Sequence, residues 1–486
     1  MGRARWIEVG LVACFAAIVC FQVFVPPSLG LADNGDYGRM IGRFALGPWH
    51  PDPSDQYAYL TTAWIFEHSY HWVSDNFSSE LFPISAAVLT GWFFNSYHFD
   101  IRMMGAIHAL LWIGCFPALL IALRPMPGWS RWVTALGALF VLTDASYVAF
   151  CNSFYMDASA FLFLGWAVVL WLLVVTRERP SLWAFAGFSV AAALSTMSKS
   201  QHALLALPLL ALAAVAAYRF PAPRRFGCLA LATMIPISGY AEYASMPAFD
   251  ARMPQYAIVF SKILDRSHTR SADLEELGLS QDYLGYVGHT RMSLSDPKAE
   301  QVWWDAFLHR VTRGRVLAFE LRHPWRTAAM MYWDLKFRAP DRGVHILGKY
   351  DRDSGYPAQT QAQSFSWWTA LRSGLFRAAP WHIVVWFALV IPISARLAVH
   401  GGTMLRSVAI LNLTLCAMAL LEFAISSLSD AGETERHLFV FHVLTDFTIL
   451  CAVAWLSQLL CQRYSAMRPL APTAHSEPSR ATLSAL

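Results

Sequence analysis

Charge is what this chain has least of: Asp, Glu, Lys and Arg together make up 14% of its 486 residues, while 56% are hydrophobic. A soluble globular chain carries about a quarter charged residues, so the shortage excludes a soluble fold and points to a polytopic membrane protein. The eight cysteines lie in or beside apolar stretches and form no C-x-x-C pair, which removes both a disulfide framework and a zinc site. They read as small core hydrophobes. No G-x-x-x-x-G-K-[ST] is present, nor any G-x-S-x-G or H-E-x-x-H. Any energy the protein uses must therefore arrive as a pre-activated substrate or an ion gradient. The net charge of +4 is small; in such a chain cations chiefly set membrane orientation, and no nucleic-acid partner is expected.

What is present is long apolar runs. A helix needs about 20 apolar residues to cross the hydrocarbon core. Runs at 7–25, 102–123, 130–150, 157–176, 182–198, 202–218, 226–245, 381–399, 405–428 and 437–460 meet or approach that length. The fold class expected is thus all-α integral membrane, with about ten transmembrane helices. The first run is longer than a signal peptide's core and is followed by Pro26-Pro27 instead of a cleavage site, so it reads as a retained span. Residues 81–97 contain Pro83 and Asn95 and look like a re-entrant or interfacial helix.

The arginine-bearing short connections (Arg3 and Arg5, Arg124 and Arg131, Arg177 and Arg179, Arg219 to Arg225, Arg396 and Arg406, Arg463 and Arg468) all fall on one face if the count is ten. That face is then cytoplasmic, with both termini inside. The resulting division is a transmembrane module 1–245 whose first external loop is 26–101, an external domain 246–380, transmembrane helices 381–463 and a disordered cytoplasmic tail 464–486. The stretch 248–380 holds 18 of the 37 basic and 14 of the 33 acidic residues, which makes it water-exposed. Segments 299–312 and 314–337 read as amphipathic helices, broken by His323-Pro324, and Asp273 with Glu276 resembles a helix start. A mostly helical lid is expected.

The remaining polar residues gather on the opposite, external face. They are Asp33, Asp36 and Arg39; Asn152, Tyr155 and Asp157; Lys199, Gln201 and His202; and Asp430, Glu433, Glu435, Arg436 and His437. Each has a plain structural explanation. Asp33-Asn34-Gly35-Asp36 suits a tight turn, Asp157 can cap the helix it precedes, Lys199 can snorkel, and Glu433 and Arg436 at i, i+3 can be a surface ion pair. Ionisable groups near bilayer depth nevertheless mark function by default, and this many on one face point to an external active site. A carboxylate there can take a proton from an acceptor hydroxyl, while Arg and Lys can hold a lipid phosphate and stabilise it as a leaving group.

Taken together, Asp33-Asn34-Gly35-Asp36-Tyr37, Asn152-Ser153-Phe154-Tyr155 and Glu433-Thr434-Glu435-Arg436-His437-Leu438-Phe439-Val440-Phe441 resemble the GT-C class of glycosyltransferases. More narrowly, they are similar to a bacterial branch of polytopic hexose transferases for surface-glycan assembly. In that branch the residue after Asn-Ser-Phe-Tyr-x is commonly Glu; here it is Asp157, which keeps the carboxylate and shortens its reach. The resemblance implies transfer of a sugar from a polyprenyl-phosphate donor to an envelope glycan, lipid or protein, in the bacterial inner membrane, most often with inversion. It implies Asp36 or Asp33 as the base, and Arg436, Lys199, His437 and Arg39 around the donor phosphate. Asp157, Asn152, Tyr155, Glu433, Tyr37 and His202 would serve the sugar or acceptor; Trp49, Trp367 and Trp368 would stack on sugar or isoprenoid or form the interfacial aromatic belt. No obligatory metal is expected, although two carboxylates are able to hold a divalent ion. The competing expectation is a transporter or flippase of lipid-linked glycans, against which stand the few charges inside the spans, chiefly Glu242 and Glu422. A third is transfer of phosphoethanolamine or an acyl group.

Overall fold

Apolar helices form the body of the protein in the computed structural model, which describes residues 2–66, 77–289, 292, 294–429 and 431–467. The Arg3 side chain, Asp430, Arg468 and the tail from 468 onward lie outside the described part. Seven stretches are long and apolar enough to cross a membrane: Ala4–Phe24, Arg102–Ala122, Met156–Val175, Ser200–Ala217, His382–His400, Thr403–Leu428 and Thr434–Met467. The pair Ser130–Leu142 and Ala145–Asn152 reaches that length together but is bent by 53°, as a broken span or a re-entrant loop is. Asp144 fixes the bend. It leaves the helical conformation, accepts the Ser146 N–H at 2.9 Å, and is itself held by the Thr369 N–H and hydroxyl at 2.9 and 2.6 Å.

The chain is a multi-pass, all-α membrane protein, but two of the ten expected spans fall short among the described residues. One is the helix Leu182–Thr196, of 15 residues, about 22 Å at 1.5 Å per residue. The other is split into Ala222–Ala232 and Met234–Ala244, of 11 residues each. Pro236 explains the split: it cannot donate to the Ala232 carbonyl, and its ring collides with that group.

The helices used below are α1 (Gly2–Phe24), α2 (Leu81–Phe94), α3 (Arg102–Ala122), α4 (Ser130–Leu142), α5 (Met156–Val175), α6 (Leu182–Thr196), α7 (Ala206–Ala217), α8 (Ala222–Ala232) and α9 (Met234–Ala244). Further along are α10 (Arg313–Arg322), α11 (Pro324–Phe337), α12 (Trp367–Ala378), α13 (His382–His400), α14 (Thr403–Leu428) and α15 (Phe439–Met467). Neighbouring helices pack so that the two ends of the bundle differ chemically. At one end Glu8 of α1 pairs with Arg124 after α3 and with Arg131 of α4, and Arg219 after α7 donates to the Arg177 carbonyl at 2.9 Å. At the other end the carboxylates and Lys199 meet.

The first long loop departs from the all-helical reading. Leu46–Pro48, Ala63–Phe66 and His98–Asp100 pair as a small antiparallel sheet, with Trp64 facing Phe99 across its middle. α2 follows the expectation of an interfacial helix: 14 residues, too short to cross, with Phe82, Leu89, Trp92, Phe93 and Phe94 exposed. In the 246–380 stretch, helix Pro297–Arg310, α10 and α11 appear with the break at Pro324. Their core of Tyr256, Phe260, Trp304, Phe307 and Phe319 is separate from that of the bundle. From Leu335 onward the same stretch packs into the bundle's own core. Its loop pairs with the first loop through Gly30 N–H to Lys349 O (3.0 Å) and Gly348 N–H to Tyr57 O (2.8 Å). Only glycine fits at 348, since a Cβ there would run into the Ala58 carbonyl. Asp273 does not start a helix. It sits inside Arg270–Glu276, where Arg326 binds both its oxygens at 2.9 and 2.6 Å.

Candidate active site at the carboxylate end

The Asp-Asn-Gly-Asp segment is a turn, and the turn aims its acids. Asp33 Oδ1 accepts the N–H groups of Gly35 (2.7 Å) and Tyr37 (3.1 Å), and Asn34 Oδ1 accepts that of Asp36 (3.0 Å). Gly35 has φ +101°, a region open to glycine and costly for other residues. Tyr155 braces the turn from below: its hydroxyl accepts the Asn34 N–H at 2.9 Å and donates to the Ala32 carbonyl at 2.7 Å.

Arg436 lies at the centre, delivered by a short helix that precedes α15. Its Nη2 pairs with Asp36, its Nη1 lies 3.4 Å from Asp157 Oδ2, and its Nε donates to Glu433 Oε2 at 3.0 Å. The guanidinium stands 5.1 Å from the centre of the Tyr155 ring, within cation–π range. Glu433 itself holds φ 48°, ψ 41°, a left-handed conformation that is uncommon outside glycine and asparagine. It receives Asn34 Nδ2 on one oxygen and the Tyr57 hydroxyl (2.9 Å) on the other. Arg39 Nη1 reaches Asp36 Oδ1 at 3.2 Å.

Lys199, where α6 gives way to the next span, sits with its ammonium 3.6 Å from Asp157 Oδ1 and makes no hydrogen bond among the described residues, although it is only 8% exposed. His202 bonds Glu422 at 2.9 Å and turns its other nitrogen toward Asp157 at 4.0 Å. Gln201 donates to Glu422, Ser426 and the His437 carbonyl, at 2.8, 3.1 and 2.9 Å, tying α14 to the start of α15.

The two loop acids differ electrostatically. Burial pushes the Asp33 carboxyl up to about 6, only partly opposed by the Tyr37 and Gly35 N–H groups, with the Asp36 charge adding to the rise. Asp36 is buried too, but Arg436, Arg39 and Lys199 outweigh that effect and hold its carboxyl well below the usual range. One acid is thus poised to exchange a proton near neutrality, and the other is a fixed counter-charge.

Of the residues singled out from sequence, the fold brings together Asp33, Asp36, Arg39, Tyr155, Asp157, Lys199, His202, Glu433 and Arg436, with His437 adjoining. Others are placed differently. Asn152 is wholly buried and spends its amide on the Val23 and Leu29 carbonyls, at 2.9 and 2.7 Å, which fixes the exit of α1. Tyr37 is buried beneath the turn, its hydroxyl bonded to the Leu31 carbonyl and its ring edge-on to Phe154 and Tyr155. Glu435 faces away, toward Arg338 at 3.4 Å. Trp368 serves another cluster, in which Asp446 of α15, wholly buried, binds Trp368 Nε1 (2.7 Å), Tyr147 and two buried arginines, Arg342 and Arg372. Trp367 is 73% exposed. Among the described residues no group of three His, Cys, Asp or Glu side chains has the geometry of a metal site.

Sequence reasoning missed Tyr57, Asp446 and a buried pair behind the site, and placed Asn34 in the turn without its partner Glu433. In that pair His108 Nδ1 faces the Cys151 carbonyl at 3.0 Å and must carry hydrogen, while Nε2 lies 3.0 Å from Glu80 Oε1. Both side chains are wholly buried. The other Glu80 oxygen accepts the Ser159 N–H at 3.0 Å, one of the amides that the first turn of α5 cannot satisfy itself. Glu80→Ala is expected to cost roughly 3–5 kcal/mol, the range for breaking a buried pair. Glu80→Gln keeps an acceptor for the Ser159 N–H and should lose less than half of that. Thermal midpoints in nanodiscs read the difference, and an alanine variant as stable as the native chain rules out a supporting role for the pair.

An apolar pocket lies deeper in the bundle, between Phe15, Trp112, Phe116, Val169, Leu411 and Phe447. No carboxylate or cation lines it, and the site chemistry is elsewhere. A family model described as YfdI N-terminal transmembrane domain matches residues 4–468. No curated protein and no solved structure matches the chain.

Proposed function

The chain belongs to the YfdI N-terminal transmembrane domain family, and from that premise we propose that it is a GT-C-type membrane glycosyltransferase. Its donor is a polyprenyl-phosphate sugar and its acceptor an envelope glycan, lipid or protein, met on the periplasmic face of a bacterial inner membrane with both termini in the cytoplasm. The observation that carries this reading is the pairing of Arg436 with Asp36, Asp157 and Glu433 beside the Lys199 ammonium, which lies 3.6 Å from Asp157 and makes no hydrogen bond among the described residues, at the end of the bundle away from the arginine-rich loops.

Asp33 takes the proton of the acceptor hydroxyl; the freed oxygen attacks the anomeric carbon, and the bond from that carbon to the phosphate oxygen breaks. Polyprenyl phosphate leaves, its charge met by Lys199 and Arg436, with Arg39 and His437 nearby. A single displacement inverts the anomeric centre. Asp157, Glu433 and His202 are placed to receive sugar hydroxyls. No nucleotide is consumed, because the donor bond is already activated.

The test is sugar transfer by purified protein in nanodiscs, offered a panel of polyprenyl-phosphate sugars and envelope acceptors. One donor should be turned over. Lys199→Met should raise the donor KM about 10- to 100-fold, the value of a charged hydrogen bond of 1.5–3 kcal/mol. Translocation of the donor lipid with no sugar moved from any donor would replace this reading with transport.

A further inference from the structure

The helical half of the 246–380 stretch has an apolar side facing away from its own core. On α10, Val316 and Phe319 point inward, while Leu317 is 54% exposed and Leu321 71%. Trp325 (87%) and Tyr332 (46%) on α11 prolong the exposed row past the break at Pro324. Leu317 and Leu321 are four residues apart on α10, and Trp325 and Tyr332 seven apart on α11, each the spacing of one helix face. An apolar row of this length is unusual on a surface that meets only water.

Both ends of the row are fastened to membrane helices. Arg313, at the start of α10, donates to the Tyr243 hydroxyl at 2.6 Å and lies over that ring. Tyr243 lies at the end of α9, next to its last residue Ala244, and Ile237 and Tyr240 of the same helix are 62% and 72% exposed. On α11, Asp334 binds Lys262, whose ammonium also reaches the Ser427 carbonyl at the end of α14, at 2.8 Å. The row is thus continuous with lipid-facing surface and held at the level where spans end. Arg322 on its flank is 58% exposed and pairs with Glu276 at 2.9 Å.

We propose that the α10–α11 face of Leu317, Leu321, Trp325 and Tyr332 is sunk into the lipid headgroup layer, so that this module is anchored to the bilayer beside the site. It is then an interfacial element, not a free lid. The proposal does not depend on the enzymatic reading.

The test places an environment-sensitive fluorescent amino acid, one position at a time, at 317, 321, 325 and, as a control, at the exposed Asp282 of the same module. The full chain is used in phosphatidylethanolamine–phosphatidylglycerol nanodiscs. Positions 321 and 325 should emit to the blue of 282, be quenched at least twofold more by lipids carrying a nitroxide near the headgroup, and resist aqueous iodide. Iodide quenching at 321 and 325 equal to that at 282 overturns the proposal. So does shielding from both quenchers, which would mean a protein partner, including a second copy. Leu321→Glu with Trp325→Glu gives an independent reading: the thermal midpoint should fall in nanodiscs and stay unchanged in detergent, and an equal fall in both also overturns the proposal.

Discussion

Asp33→Asn should lower sugar transfer by about a thousandfold, within the range for loss of a general base, while donor binding and thermal midpoint stay near native. The substitution is mild structurally because an asparagine oxygen can still accept the Gly35 and Tyr37 N–H groups that shape the turn. It removes only the ability to take a proton. Since the carboxyl sits at about 6, native kcat/KM should climb as pH rises through about 6 and level off above it, the base being active when ionised. Stability runs the other way. The folded value lies above the ordinary 3.8, so the contribution of this group is fully present below that value and is lost as pH rises through about 6. Asp36→Asn removes the like charge that helps raise Asp33, so its pH–rate midpoint should move down. A normal rate in Asp33→Asn, with the loss appearing only in Asp36→Asn, would transfer the role of base to Asp36.

The parts legible in the sequence were those written locally. Arginines in short loops sorted the two ends of the bundle, and the Asp-Asn-Gly-Asp turn and the Glu433–Arg436 spacing could be read from neighbours in the chain. What could not be read is who pairs with whom. Asn34 meets Glu433 across 399 residues and Arg436 meets Asp36 across 400, and no periodicity encodes such partners. Asn152 carries a motif yet is spent on backbone carbonyls, because the chain leaving α1 needs donors there. Asp446 was overlooked inside an apolar run, where a lone acid was the only signal, as it was for Glu422. The three strands are too short for alternation to register, and the split of α8 from α9 turned on one proline.

Arg436→Ala is expected to cost roughly 3–5 kcal/mol of stability, because it strips the shared counter-charge from three carboxylates at once. Transfer should fall below detection in the same variant. Activity alone cannot separate lost folding from lost chemistry, so two companions are needed. Arg436→Lys keeps the charge, but an ammonium on a flexible stem cannot bridge Asp36, Asp157 and Glu433 as the planar fork does. It should fold with a modestly lower midpoint and lose transfer about a hundredfold. Arg436→Gln combined with Asp36→Asn and Glu433→Gln removes most of the uncompensated charge. Since removing both sides of a buried pair is far cheaper than removing one, most of the lost midpoint should return while transfer stays absent. Midpoints by intrinsic fluorescence and transfer by product mass, both in nanodiscs, decide the matter. If Arg436→Ala is as stable as the native chain, the three acids do not depend on this arginine. If the triple variant regains transfer, Arg436 only holds the fold, and the donor phosphate must be met by Lys199 and Arg39.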